Sequence, residues 1–226
     1  MTPGLFPAEP GRIGSDESGK GDFFGPLVVA AFFLPEGQEA VLRELGVKDS
    51  KRTSDARCRE IARELKRGFP CHSVVAIGPE KYNELWGKLR NLNRLLAWGH
   101  ARAIENVLER VPAAKAVTDQ FGDERFVRNA LLKKGREIEL AQMPRAEEDA
   151  AVAAASILAR AEFLSRLRFL SEEVGVELPK GASDRVEAAA AKLVREKGPD
   201  ILAKVAKTHF KTTVRVLAAA GVARLA

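Results

Sequence analysis

Three groups of acidic residues hold the chemistry open to this sequence: the pair Asp16-Glu17, the single Asp119, and the run Glu147-Glu148-Asp149. With no His or Cys among them they offer only hard oxygen donors, which suit Mg2+ or Mn2+ rather than zinc. Two such ions held close together are the recurring device for hydrolysing phosphodiesters, one preparing the attacking water and the other the leaving oxygen. Without a cation, gathered carboxylates repel one another and their pKa values rise. A purely structural cluster would therefore need an Arg partner at each acid. Taken singly, each group has a plainer reading. An Asp ending a strand is a cap or turn residue, and acids opening a helix favour its dipole. The metal reading requires that the three groups meet in space.

The elements that carry them decide whether they can. Residues 27–34 form an apolar run rich in β-branched and aromatic residues, bounded by Gly25-Pro26 and Pro35, and read as a strand. Residues 12–15 are expected to face it as a short strand, with Asp16 and Glu17 just past its end. Residues 115–121 read as a buried strand ending in acidic Asp119, and 71–77 and 136–143 as two further strands. Helices are expected over 37–45, 79–89, 92–111 and 124–134, and over a stretch to 66 capped by Ser54 or Asp55. The longest, 147–170, opens on the third acidic group, and its small residues 150–155 would let it lie close to a sheet. Further helices are expected over 184–196, 200–206 and 213–217. This order gives an α/β fold: a mixed five-stranded sheet flanked by helices, with a helical C-terminal tail. The chain reads as one domain over 1–226, with 1–11 as an irregular arm and a basic helical region from 184 to the end. If the first and fourth strands are neighbours, the acids converge.

Between the first two strands, Gly14 to Gly21 nearly spells a phosphate-binding P-loop. The residue after Lys20 is Gly21, so the hydroxyl that would hold magnesium is missing. Two acids inside the loop would repel a phosphate, and a strand follows where a P-loop needs a helix. The nucleotide-hydrolase reading fails.

Composition narrows the partners. Thirty-seven basic residues against thirty-one acidic ones give a net charge of +6. From Val176 onward there are ten Lys or Arg and five Asp or Glu, so most of the excess lies in the last quarter. A basic C-terminal face alongside a carboxylate cluster suits a nucleic-acid enzyme; a solvated helical tail is the bland alternative. Cys58 and Cys71 sit in no metal-ligand spacing and suggest no disulfide framework. No apolar run is long enough for a membrane span, and the N-terminus has no signal core. A soluble, reducing, cytoplasmic setting is expected, with no membrane association.

The residues also resemble a known family. Asp16-Glu17-Ser18-Gly19-Lys20-Gly21-Asp22 with Phe24-Gly25-Pro26-Leu27 resembles the opening motif of ribonuclease HIII; the related ribonuclease HII carries Arg where this chain has Lys20. Further matching blocks are Asp49-Ser50-Lys51, Asn91-Leu92-Asn93 with Trp98-Gly99-His100, Thr118-Asp119-Gln120-Phe121, Ala146-Glu147, the stretch 151–160, Leu178-Pro179-Lys180-Gly181 and His209-Phe210.

The resemblance implies a ribonuclease-H-like fold and endonucleolytic cleavage of the RNA strand of RNA/DNA hybrids, leaving 5′-phosphate and 3′-hydroxyl ends with two Mg2+ or Mn2+ ions. The family's four acids correspond to Asp16, Glu17, Asp119 and Glu147, as catalytic residues and metal ligands. Glu147 is preferred over Glu148 and Asp149 because the family's Ala-Glu pair matches Ala146-Glu147. Ser18, Gly19, Lys20 and Gly21 correspond to the loop that meets the substrate backbone. Glycine there lets main-chain N–H groups approach a sugar closely enough to read a 2′-hydroxyl. By the same resemblance Lys51 contacts phosphate, or is merely a surface lysine, and Ser156 faces the strand near the site. His209 is either a proton shuttle or phosphate ligand, or a packing residue beside Phe210. His72 and His100 read as core or surface residues, and Tyr82, Trp86 and Trp98 as packing. No obligate protein partner is expected. Family members commonly carry a separate N-terminal domain that grips the hybrid, and only a dozen residues precede the first motif here. Binding is therefore expected to rest on the catalytic domain and its basic tail, and to be weak and salt-sensitive. The alternatives are HII-like incision at single ribonucleotides in DNA, or a hybrid-binding module without catalysis, against which the intact set of four acids argues.

Overall fold

A computed structural model describes residues 10–47, 53–119, 124–131, 134–144 and 146–221, with the backbone alone at Glu124 and Glu147. Five strands are present: β1 (Gly11–Ser18), β2 (Leu27–Pro35), β3 (His72–Ile77), β4 (Lys115–Asp119) and β5 (Glu139–Met143). The helices are α1 (Glu39–Glu44), α2 (Asp55–Gly68), α3 (Pro79–Leu89), α4 (Leu92–Leu108), α5 (Glu124–Ala130), α6 (Ala150–Val174), α7 (Asp184–Lys197), α8 (Ile201–Val205) and α9 (Lys211–Ala219). The strands form one sheet in the order β3-β2-β1-β4-β5. β1 runs antiparallel to β2 and parallel to β4, and β5 is parallel to β4. The expected mixed sheet is present, and the first and fourth strands are neighbours, the condition under which the acids converge.

Three expectations are corrected. Asp16 and Glu17 lie inside β1, paired across to Ala30 and Val29 of β2, and not beyond a strand ending at Ser15. The antiparallel ladder keeps its register for eight residues, because β2 offers a fully buried apolar run to pair against. Glu147 does not open the long helix but sits in a 3₁₀ turn, Ala146–Glu148. α6 starts later because Asp149 caps it: Asp149 Oδ1 accepts from the N–H groups of Ala151 (2.8 Å) and Val152 (3.2 Å). The helix expected over 124–134 is only α5, followed by a short 3₁₀ turn at Gly135–Glu137. Ser54, one of the two expected caps of α2, accepts from Arg57 N–H at 3.2 Å.

Contacts gather the chain into two compact units. The first comprises the segments ending at Ser18, Val28–Val75 and Asn93–Ala161; the second holds Gly19–Leu27, Ala76–Leu92 and everything from Glu162 onward. In the first unit, successive residues of β1 point to opposite faces of the sheet. Ile13 joins Val29, Ala31 and Phe33 in a core with Ala97, Ala101, Ile104 and Val107 of α4. Gly99 brings α4 close, since a β-carbon there would sit 2.7 Å from Val29 Cγ2. On the other face, a β-carbon at Gly14 would lie 2.1 Å from the carbonyl carbon of Ala151 and 2.2 Å from Val152 N. Glycine at 14 is what lets the start of α6 rest directly on β1.

The second unit centres on Lys207, fully buried, whose Nζ donates to the carbonyls of Asp22 (2.7 Å) and Gly25 (2.8 Å). Its own N–H donates to Phe23 O, and Gly25 N–H donates to Val205 O. From a second side, Gly181 N–H donates to Asp22 Oδ1 at 2.6 Å while Gly181 O accepts from Phe23 N–H. Residues 22–25, which follow the Gly19-Lys20-Gly21 segment, are thereby pinned from two directions. Burial pulls the Lys207 amine down to about 7, with the Asp22 charge opposing.

Two outcomes test this packing. Gly14→Ala forces backbone apart where no side chain can yield, and should cost at least about 2 kcal/mol in urea unfolding. For Lys207, the unfolded chain holds a proton up to about pH 10.5 that the folded chain gives up near 7. Stability should therefore rise with pH between those values, and the slope should flatten in Lys207→Met when unfolding is followed from pH 7.5 to 9.5.

Candidate active site

The acids are positioned by the pairing of β1 with β4. The parallel register runs Ile13 to Ala116, Gly14 to Val117 and Ser15 to Thr118. The next residue along each strand is the acid, Asp16 on one and Asp119 on the other. Side chains at matching positions of parallel neighbours share a face, so Asp16 and Asp119 point to the side on which Gly14 meets α6. Asp16 hydrogen-bonds Ser156 of α6, and its Oδ1 accepts from Glu17 N–H at 2.8 Å. Ser156, expected near the acids from the resemblance, is on α6 and touches one of them.

The third acidic group is tied to Asp119. Asp119 Oδ1 accepts from Ala146 N–H at 3.4 Å, in the 3₁₀ turn that carries Glu147. The Glu147 side chain lies outside the described residues. Its two neighbours have separate fates: Glu148 is exposed, while Asp149 caps α6 and pairs with Arg12 Nε at 2.6 Å. Asp149 is thus committed to holding α6 and β1 together.

Glu17, one residue further along β1, points to the opposite face. Its Oε2 lies 3.1 Å from Nε2 of His100, an entirely buried residue of α4. His100 Nδ1 lies 2.9 Å from Ser15 Oγ and 3.3 Å from Thr118 Oγ1. Thr118 Oγ1 also donates to Asp119 O. His100 is the residue that sequence reasoning missed. A lone histidine on an apolar helix face is indistinguishable from an ordinary core residue; the adjacent Gly99 was the available signal, since it marks where α4 comes down onto the sheet.

Electrostatics agrees with this crowding. Burial, and after it the neighbouring Glu17 charge, lift the Asp16 carboxyl to about 6. The Ser156 hydrogen bond, the Glu17 N–H and the nearby imidazole oppose the shift. Among the described residues, no three carboxylate, imidazole or thiolate groups already stand as a closed metal-ligand set. The geometry provides two aspartates in register on one face, and a glutamate beside them turned toward His100.

The remaining predicted residues fall elsewhere. Ser18 ends β1 beside Val28. Gly19 is in the left-handed region (φ +87°), and a β-carbon there would strike Pro26 O at 2.2 Å. Gly21 faces open space, so the protein's own packing does not require glycine there. Lys20 is partly exposed. Lys51 lies outside the described residues, with Asp49 and Ser50. His209 stacks on Trp86 at 3.9 Å and on Tyr82 at 5.5 Å, with Phe210 edge-on at 4.8 Å. Trp98, expected to pack, is 41% exposed.

Comparison with known proteins gives a consistent set of likenesses. A family model described as Ribonuclease HII matches residues 13–213. Ribonuclease HIII of Protochlamydia amoebophila is 46% identical over 210 residues, spanning 93% of this chain and 69% of that protein. Ribonuclease HIII of Chlamydia pneumoniae is 46% identical over 207 residues, spanning 89% and 68%. Among solved structures, Bst-RNase HIII in complex with Mn2+ superposes with a TM-score of 0.86 at 35% identity, over 94% of this chain and 71% of that one.

A titration isolates the electrostatics. In the cation-free protein, the Asp16 carboxyl followed by 13C NMR should titrate near 6. Its midpoint should fall in Glu17→Gln, which removes the like charge, and rise in Ser156→Ala, which removes a hydrogen bond to the ionised form. An Asp16 midpoint near the ordinary 3.8 would contradict the burial described above.

Proposed function

This chain belongs to the ribonuclease HII family, in its ribonuclease HIII branch, and is an endoribonuclease of RNA/DNA hybrids; we propose that it cuts the RNA strand with divalent ions held by Asp16, Glu17, Asp119 and Glu147, leaving 5′-phosphate and 3′-hydroxyl ends. The observation that carries this assignment is the register of β1 on β4, which sets Asp16 and Asp119 side by side on one face. The donor set is wholly oxygen, as Mg2+ or Mn2+ requires. Asp16 carries an unfavourable charge that a cation would relieve, since burial and Glu17 both raise its pKa. The solved relative in complex with Mn2+ adds support from a protein 35% identical. Bound divalent ions would supply activation of the attacking water and neutralisation of charge on the leaving oxygen.

The chain's own residues do the rest in this reading. Asp16 and Asp119 would hold the ions, whose chemistry would act on the scissile phosphate. Ser156 steadies the Asp16 carboxylate through its hydrogen bond. Ser18, Gly19, Lys20 and Gly21 bind the sugar–phosphate backbone. The open space at Gly21 is what a backbone in close approach would need, and a main-chain N–H there can read a 2′-hydroxyl. Lys51 is assigned a phosphate contact by resemblance alone. A cytoplasmic setting belongs to the same proposal; Cys58 and Cys71 are both free, and among the described residues no helix is long and apolar enough to cross a membrane. The match to a model described as Ribonuclease HII keeps a second specificity in view, incision at a single ribonucleotide in DNA.

The decisive assay uses labelled all-RNA/DNA and single-ribonucleotide duplexes, with Mg2+ and Mn2+ in turn. Asp16→Asn and Asp119→Asn should each lower cleavage by about a thousandfold or more while leaving the fold intact. Full activity in either would refute the ligand assignment. Glu147→Gln should lose far more activity than Glu148→Gln. Asp149→Asn should act chiefly on stability, because it weakens the Arg12 pair and the α6 cap.

A further inference from the structure

One imidazole touches both strands that bear the aspartates. His100 Nδ1 reaches Ser15, the residue before Asp16, and Thr118, the residue before Asp119; its Nε2 reaches the carboxylate of Glu17, the residue after Asp16. The ring is completely buried, as are Ser15 and Thr118. An ionised carboxylate can only accept, so the Nε2 position carries the proton toward Glu17. Thr118 gives its hydroxyl proton to Asp119 O, and Nδ1 also shares a hydrogen bond with the Ser15 hydroxyl. The two ring nitrogens thus meet Glu17 on one side and the two hydroxyls on the other. Gly99 allows the approach, because any β-carbon there would press on Val29.

We propose that His100 is a positioning residue for the acidic site: it fixes the rotamer of Glu17 and clamps the acid-bearing ends of β1 and β4 in register. This rests on the metal-dependent reading above. Its consequence is selective. Mg2+ demands near-ideal octahedral geometry and loses water reluctantly, so a loosened Glu17 harms Mg2+ more than the more forgiving Mn2+. Partners that orient ligating groups typically change metal affinity or activity by about 10–100-fold when removed.

The test uses the full chain with three substitutions. His100→Leu removes the donor at similar bulk. His100→Gln places an amide N–H where Nε2 stands. Ser15→Ala removes a hydrogen-bond partner of Nδ1. Each variant is compared with the unsubstituted protein by thermal unfolding, by calorimetric titration with Mg2+ and with Mn2+ in the absence of substrate, and by kcat and KM on an RNA/DNA hybrid with each ion. In His100→Leu, Mg2+ affinity and Mg2+-supported kcat should each fall about tenfold or more beyond the loss with Mn2+, with KM for the hybrid nearly unchanged. His100→Gln should recover part of that loss, and Ser15→Ala should show a smaller deficit of the same sign. Should His100→Leu fail to fold, the other two variants carry the comparison. Equal losses with both ions, or unchanged ion affinities in a folded variant, would overturn the proposal and leave His100 a packing residue. If the unsubstituted protein neither binds the ions nor cuts the hybrid, the site reading itself fails, and this inference falls with it.

Discussion

Asp16 and Glu17 repel each other, and Asp16 is held in place because backbone hydrogen bonding and packing give it no alternative. The parallel pairing of β1 with β4 fixes Asp16 beside Asp119, and Glu17 follows directly in the chain. Raising Asp16 from its ordinary 3.8 to about 6 corresponds to about 3 kcal/mol of unfavourable charge. Burying a single Val, Ile or Phe contributes about 1.5–3 kcal/mol, and the same strands bury Ile13, Val29 and Phe33. The fold can therefore hold a frustrated site without losing its stability, as functional sites commonly require.

The alternation of a β-strand gives the two adjacent acids different surroundings. Gly14 and Asp16 face α6; Ile13, Ser15 and Glu17 face α4. Each helix is brought close by a glycine at its contact, Gly14 on the strand for α6 and Gly99 on α4 itself. On one side this delivers Ser156 to Asp16. On the other it delivers His100 to Glu17. Both contacts accompany a close approach of helix to strand that a β-carbon at Gly14 or Gly99 would obstruct, at two positions that no turn demands.

Charge in the second unit shows how a count can mislead. Lys207 contributes to the basic excess after Val176, yet it is buried and spends its protons on the carbonyls of Asp22 and Gly25. Arg185, Lys192 and Arg215 are paired with Glu177, Glu196 and Glu187. Burial takes Lys207 out of the charge that this region presents to solvent. What the region does provide is rigidity for residues 22–25, the continuation of the glycine-lysine-glycine loop.

Much was determined by the amino-acid sequence alone: the hard-oxygen character of the candidate site, the strands and most helices, and the family through its ordered motifs. These depend on residue type and local periodicity, which a chain carries wherever it goes. Tertiary structure alone decided that Asp16 and Glu17 lie within a strand and so face opposite ways, that Asp149 is a helix cap, that His100 bridges both acid-bearing strands, and that Lys207 is an internal strut. Each of these depends on a partner far away in the chain, Val29 for Gly99, Ala151 for Gly14, Gly25 for Lys207. Which face is buried, and against what, is set by packing between segments whose meeting no local pattern records.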